Sequence, residues 1–119
     1  MCSPIELVIS LAPGNTKQPQ ILNPDGSESP FVIPAKQSFV VTDISANRLY
    51  VLGTPVLVAI NLEQALGTGI VARWTFVGEI TENVERSFKT GIQFATPFNV
   101  NLLAPSGEAF CIRIHGYFM

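Results

Sequence analysis

The segment Ala109–Met119 alternates so regularly that it constrains the whole chain. Phe110, Ile112, Ile114 and Phe118 fall on one side of an extended strand, and Cys111, Arg113, His115 and Tyr117 on the other. The first side is core. The second is too lipophilic for a plainly solvated face and too polar for a plain core face, so it reads as a candidate subunit contact. Composition points the same way: 13% of the residues are charged and 47% hydrophobic, where soluble domains average about 25% charged. Several other segments are apolar on both faces.

Between nine prolines and nine glycines stand runs rich in Val, Ile, Phe and Thr, residues that suit a pleated, half-buried surface. Strands are expected at Ile5–Leu11, Phe31–Ile33, Ser38–Ile44, Arg48–Leu52, Val56–Leu62, Ile70–Gly78, Arg86–Phe94, Phe98–Leu103 and Ala109–Phe118. Turn chemistry separates them: Pro13-Gly14-Asn15, Asn23-Pro24-Asp25-Gly26, Gly67-Thr68-Gly69 and Pro105-Ser106-Gly107. The polar stretch Ala12–Pro30 is either a long loop or an edge hairpin around Gln20–Leu22. Asn61–Leu66 has room for one helical turn, and Ile80–Glu85 reads as a solvated acidic loop. Alternation places Ile5, Leu7, Ile9 and Leu11 in the core. The same holds for Phe39 with Val41, for Val56, Val58, Ile60 and Leu62, for Ile70, Ala72, Trp74 and Phe76, and for Phe98, Val100 and Leu102. Short strands at this spacing predict a single domain over residues 1–119: all-β, a two-sheet antiparallel β-sandwich.

Val32-Ile33-Pro34-Ala35 entering Phe39-Val40-Val41-Thr42-Asp43, the central hairpin, Thr90-Gly91-Ile92 ahead of Pro97, and the closing Ile112–Phe118 with Gly116-Tyr117 together resemble small bacterial and phage-associated jelly-roll proteins. The plan is also similar to the trimeric tumour-necrosis-factor-like jelly rolls, whose terminal strands pack at a threefold axis. The resemblance covers Pro30 to Met119 and brings no catalytic residues. What it implies is a β-sandwich of jelly-roll type that forms a homo-oligomer, with a trimer favoured.

Lys17, Lys36, Arg48, Arg73, Arg86, Lys89 and Arg113 stand singly in a chain of net charge −2, so no basic surface is expected to bind nucleic acid. The N-terminus lacks a positive region and carries Pro4 and Glu6, so no classical signal peptide is expected. The apolar run Pro55–Ile60 is far short of the ~20 residues of a membrane span. A cytoplasmic or virion-associated location follows as the expectation. Two cysteines, Cys2 and Cys111, exclude a disulfide framework.

His115 is the only histidine, which removes the clustered-ligand templates of metal-dependent jelly rolls; no catalytic residue, metal or other cofactor is expected. Cys111 and His115 share a face but lie about 13 Å apart along a strand, too far for a nucleophile and its base. Glu79, Glu82 and Glu85 read as a solvated turn, with a weak Ca²⁺ site as the alternative. Asp43, in phase with Phe39 and Val41, reads as a strand-end residue bonded to a turn or as a charge paired with an arginine such as Arg113 or Arg73 at an interface. Trp74, Phe76 and Tyr50 read as core, with a sugar-stacking platform as the alternative. The leading expectation is a non-enzymatic oligomeric module with a structural or binding role. The alternatives are a carbohydrate- or cell-surface-binding module, engaging a carbohydrate or protein ligand, and a small-molecule-binding or enzymatic jelly roll.

Overall fold

The computed structural model describes residues 4–12, 14–48, 55–104 and 109–119. Cys2, Tyr50, the Pro105-Ser106-Gly107 turn and the Arg48–Leu52 strand beyond Arg48 lie outside them. Ten strands follow one another: β1 (Pro4–Leu11), β2 (Thr16–Lys17), β3 (Gln20–Leu22), β4 (Glu28–Pro30), β5 (Phe39–Arg48), β6 (Val56–Leu66), β7 (Gly69–Ile80), β8 (Asn83–Phe94), β9 (Asn99–Leu103) and β10 (Phe110–Phe118). They form a six-stranded sheet in the order β4-β3-β1-β10-β5-β8 and a four-stranded sheet in the order β2-β9-β6-β7.

The pairings are nested. β1 pairs with β10, β2 with β9, β5 with β8 and β6 with β7, all antiparallel, as in one long ribbon folded back on itself. Rolling that ribbon adds β10 against β5 and β9 against β6, which gives two packed sheets with jelly-roll connectivity. β3 and β4 are an additional hairpin on the edge of the larger sheet. Its turn is fixed by Asp25, whose carboxylate accepts from the backbone N–H of Ser27 at 2.9 Å and from its hydroxyl at 2.6 Å. Of the two readings of Ala12–Pro30, the edge hairpin is the one observed.

Several boundaries differ from expectation for local reasons. Asn61–Leu66 is the end of β6 rather than a helical turn, because β7 supplies a hydrogen-bonding partner along that whole stretch. Ile80–Glu85 is a tight reversal between β7 and β8, with Glu85 already in β8. Phe31–Ile33 is not a strand; the segment is irregular, held by the Gln18 side-chain amide donating to the Phe31 carbonyl at 2.8 Å, while the Phe31 ring is buried.

Between the sheets lie Leu7, Ile9, Leu11, Val41, Ile44, Val58, Ile60, Leu62, Val100, Leu102, Ile112 and Ile114, with Phe31, Phe39, Phe94 and Phe98 at one end. Two register shifts decide which side chains join them. On β5, Thr42 is an extra residue between Val41 and Asp43. Phe39 and Val41 face inward before it, and Ile44 and Ala46 after it, so Asp43 turns outward. On β7, Arg73 is extra between Ala72 and Trp74. Ile70 and Ala72 are therefore exposed, Ile70 by 70%, and only Trp74 and Phe76 of that expected core set turn inward.

The open side between β7 and β8 is closed by side chains. Trp74 meets Phe88 edge-on at 5.5 Å between centroids, and the Arg86 guanidinium lies 5.1 Å from the centre of the Phe76 ring. Arg73 donates to Gln64 Oε1 at 2.8 Å and to the Gln93 carbonyl at 3.1 Å, above the Phe94 ring. Arg48, 5% exposed, donates to the Thr81 carbonyl at 2.8 Å and holds the β7–β8 reversal against the end of β5.

Among the described glycines, Gly116 in β10 has the closest surroundings. A Cβ there would run into the Val40 carbonyl oxygen and come within 2.7 Å of the Phe39 ring. Gly116→Ala is expected to cost about 3 kcal/mol through overpacking, read as a lower urea midpoint with an unchanged m-value.

Candidate functional site

The register brings six residues into one row across the outer face of the larger sheet: Glu28, Leu22, Glu6, His115, Asp43 and Ser87. His115 thus stands between two carboxylates. Its Nε2 is 3.6 Å from Glu6 Oε1, an ion pair when the imidazole is protonated, and the Arg113 guanidinium reaches the same oxygen at 3.3 Å. The next row contains Val8, Arg113, Ser45 and Glu85, and the row beyond it Ser10, Cys111 and Asn47. Three shallow depressions border His115 and are lined by Asn23, Ser45, Asn47, Glu85, Ser87 and their neighbours.

Of the residues read from sequence as a contact face, Arg113 and His115 are exposed and Cys111 and Tyr117 half-buried, all on β10. Cys111 is two rows from His115, as the strand spacing requires. Within the chain the described partners of Asp43 are hydroxyls, not Arg113 or Arg73. The Thr42 bulge turns it outward, where its carboxylate accepts from the Ser87 hydroxyl at 2.6 Å and the Thr42 hydroxyl at 2.9 Å. These two hydrogen bonds, Ser87 first, hold the Asp43 carboxyl below the ordinary 3.8; nearby His115 acts in the same direction and desolvation opposes it. The chemistry follows from that direction. The Ser87 proton points at a carboxylate made a weaker base than usual and not at His115, so the row lacks the relay that activates a nucleophile.

Glu79 and Glu85 are separated by the β7–β8 reversal onto the outer faces of different sheets. Among the described residues no three His, Cys, Asp or Glu side chains gather to hold a metal ion. Trp74 packs edge-on with Phe88, and Phe76 carries the Arg86 guanidinium over its ring.

The outer face of the smaller sheet has different chemistry. Leu103, Ala59 and Val77 are direct cross-strand neighbours on β9, β6 and β7, and Leu57 lies beside them. Exposure is 50% at Leu103, 54% at Leu57 and 67% at Val77, and with Gly14 and Ala104 they line an aliphatic depression. The adjoining row is polar. Thr75 donates to Asn61 Oδ1 at 2.7 Å, Asn61 Nδ2 to Asn101 Oδ1 at 3.2 Å, and Asn101 Nδ2 to Thr16 Oγ1 at 2.9 Å, one ladder across all four strands. Leu57, Val77 and Leu103 were legible as apolar residues out of phase with the core at Val58, Phe76 and Leu102. The ladder was not, since it depends on register between strands distant in sequence.

No family model and no curated protein sequence matches this chain. Among solved structures, it is similar to a chain of the cowpea mosaic virus top component, naturally occurring empty particles, with 12% identity, 96% of this chain and 84% of that chain covered, and a TM-score of 0.46. No helix among the described residues is long and apolar enough to cross a membrane.

The lowered pKa of Asp43 has a pH signature. Its contribution to stability is fully present above the unfolded value of about 3.9 and is lost as the pH falls through the lower folded value. Ser87→Ala is expected to destabilise the protein at pH 7, with the difference from wild type shrinking through the acid range. A gap that stays constant down to pH 2 would show that the carboxylate is not its source.

Proposed function

We propose that this protein is a non-enzymatic structural module that works as a symmetric homo-oligomer. One observation carries the reading: Leu57, Val77 and Leu103 stand exposed around Ala59 on one sheet face of a chain with few charges to keep such faces apart. Contiguous aliphatic exposure of this kind marks interaction surfaces. A second contact is assigned to the outer face of the larger sheet, through Cys111, Arg113, His115 and Tyr117, in a threefold arrangement. Its support is that Arg113 and His115, each about half exposed, share one carboxylate oxygen of Glu6, so most donors of the five-donor guanidinium are left for a neighbouring copy.

A second reading is favoured by the depressions around His115. Their donors and acceptors from Asn23, Ser45, Asn47 and Glu85 suit a polar ligand such as a carbohydrate or a protein loop, bound without chemistry. Glycan-array binding that is lost on Asn47→Ala would support it over a purely structural role.

Light scattering at micromolar concentration is expected to give a multiple of the 12.9 kDa chain mass, and a monomer would overturn the reading. Tyr117→Ala is expected to weaken the threefold contact by about 2 kcal/mol, the scale of an aromatic anchor at an interface, read as dissociation on dilution.

A further inference from the structure

A β-sheet edge is a row of unpaired N–H and C=O groups, and proteins that remain apart guard it with short strands, prolines, charges or bulges. Three of the four edges here are guarded. β4 has three residues and ends on Pro30; β2 has two, one of them Lys17. β8 carries Glu85, Arg86 and Lys89, and is broken where Phe88–Gly91 bulge out opposite Thr42, with Gly91 at φ 76°. β7 is different. From Trp74 to Ile80 it pairs with β6 without interruption, Trp74–Gly78 contain neither proline nor charge, and among the described residues no strand pairs with its outer side. Arg73, the one cation of the strand, is committed to Gln64 and Gln93.

We infer that the outer edge of β7 is the docking site for β7 of a second copy, antiparallel across a twofold axis at Val77, so that the two four-stranded sheets become one. The inference rests on the self-association proposed above and adds the surface and the symmetry. The occupant follows from self-complementarity. The regular stretch Trp74–Ile80 is bounded by the Arg73 bulge and the turn at Thr81, and its midpoint is Val77. A twofold there pairs the whole stretch with itself and admits no bulge. The aliphatic row then runs unbroken from Leu103 through Ala59 and Val77 to the partner's Val77, Ala59 and Leu103, with the two Val77 side chains as cross-strand neighbours. Glu79 falls opposite the partner's Thr75, so no two carboxylates face each other. Combined with a threefold contact on the larger sheet, the smallest closed assembly is a hexamer of dihedral symmetry.

The test is the molar mass of the full chain and four variants by light scattering, with circular dichroism to confirm that each keeps its β signal. Val77→Lys, at an exposed position, is expected to halve the mass, and Val77→Thr to leave it at the wild-type value. Leu57→Lys, on the same face but one strand in from the edge, is expected to leave the mass unchanged. An unchanged mass for Val77→Lys overturns the inference, as does an equal loss in Leu57→Lys, which would mean that the flat face and not the edge makes the contact. Capture of an extended peptide by a monomeric wild type overturns it as well. Tyr117→Ala separates the two contacts: loss of assembly there with no effect at Val77 leaves the threefold contact standing and removes this one, and the opposite pattern does the reverse.

Discussion

Everything in the sandwich is arranged around the ring of Phe39. It sits edge-on to Phe31 at 5.2 Å and to Phe118 at 5.3 Å, and 6.3 Å from Phe98, which in turn packs on Phe94 at 4.4 Å. These rings come from an irregular segment, from three strands of the larger sheet and from the entry to β9, so one cluster ties both sheets and the β4–β5 connection together. Edge-on pairs contribute about 0.5–1.5 kcal/mol each beyond the area they bury. The cluster exists because Gly116 has no Cβ in the space that the Phe39 ring and the Val40 carbonyl occupy. A ring on β5 and a missing side chain on β10 are two halves of one feature.

The second organising feature is the pair of extra residues, Thr42 and Arg73. Each inverts the inside–outside sense of its strand at a chosen point. At Thr42 the inversion moves a carboxylate out of the core and into the row with Glu6 and His115. At Arg73 it swings a guanidinium across the open side of the sandwich and releases Ile70 and Ala72 to the surface. The polar row around Asp43 and the exposure of Ile70 and Ala72 are thus products of the same device, applied once to each sheet.

Most of the architecture was legible because period-2 alternation survives wherever a strand is regular. β1, β6, β9 and β10 read correctly to within a few residues, and the face of β10 carrying Cys111, Arg113, His115 and Tyr117 is found where alternation put it. The misreadings cluster at the bulges. In the linear pattern Asp43 stands in phase with Val41, and Ile70 with Trp74, since nothing in it announces an extra residue before the partner strand is known. For the same reason Ser87 and Glu6 were not associated with His115. Their meeting depends on three strands from distant parts of the chain, and the turn and capping chemistry near them is silent about register.

The nested pairing has a consequence for the making of the protein. β10 is an interior strand of the larger sheet, seated between β1 and β5, although it is the last of the ten to be synthesised. Until it emerges from the ribosome, β1 and β5 each expose an edge flanked by large apolar side chains, and the core has a slot where Phe110, Ile112 and Ile114 belong. Long-range pairing of this kind closes slowly. The nascent chain therefore passes through a stage at which its most aggregation-prone surfaces are open together, and the emergence of β10 is the event that shuts them.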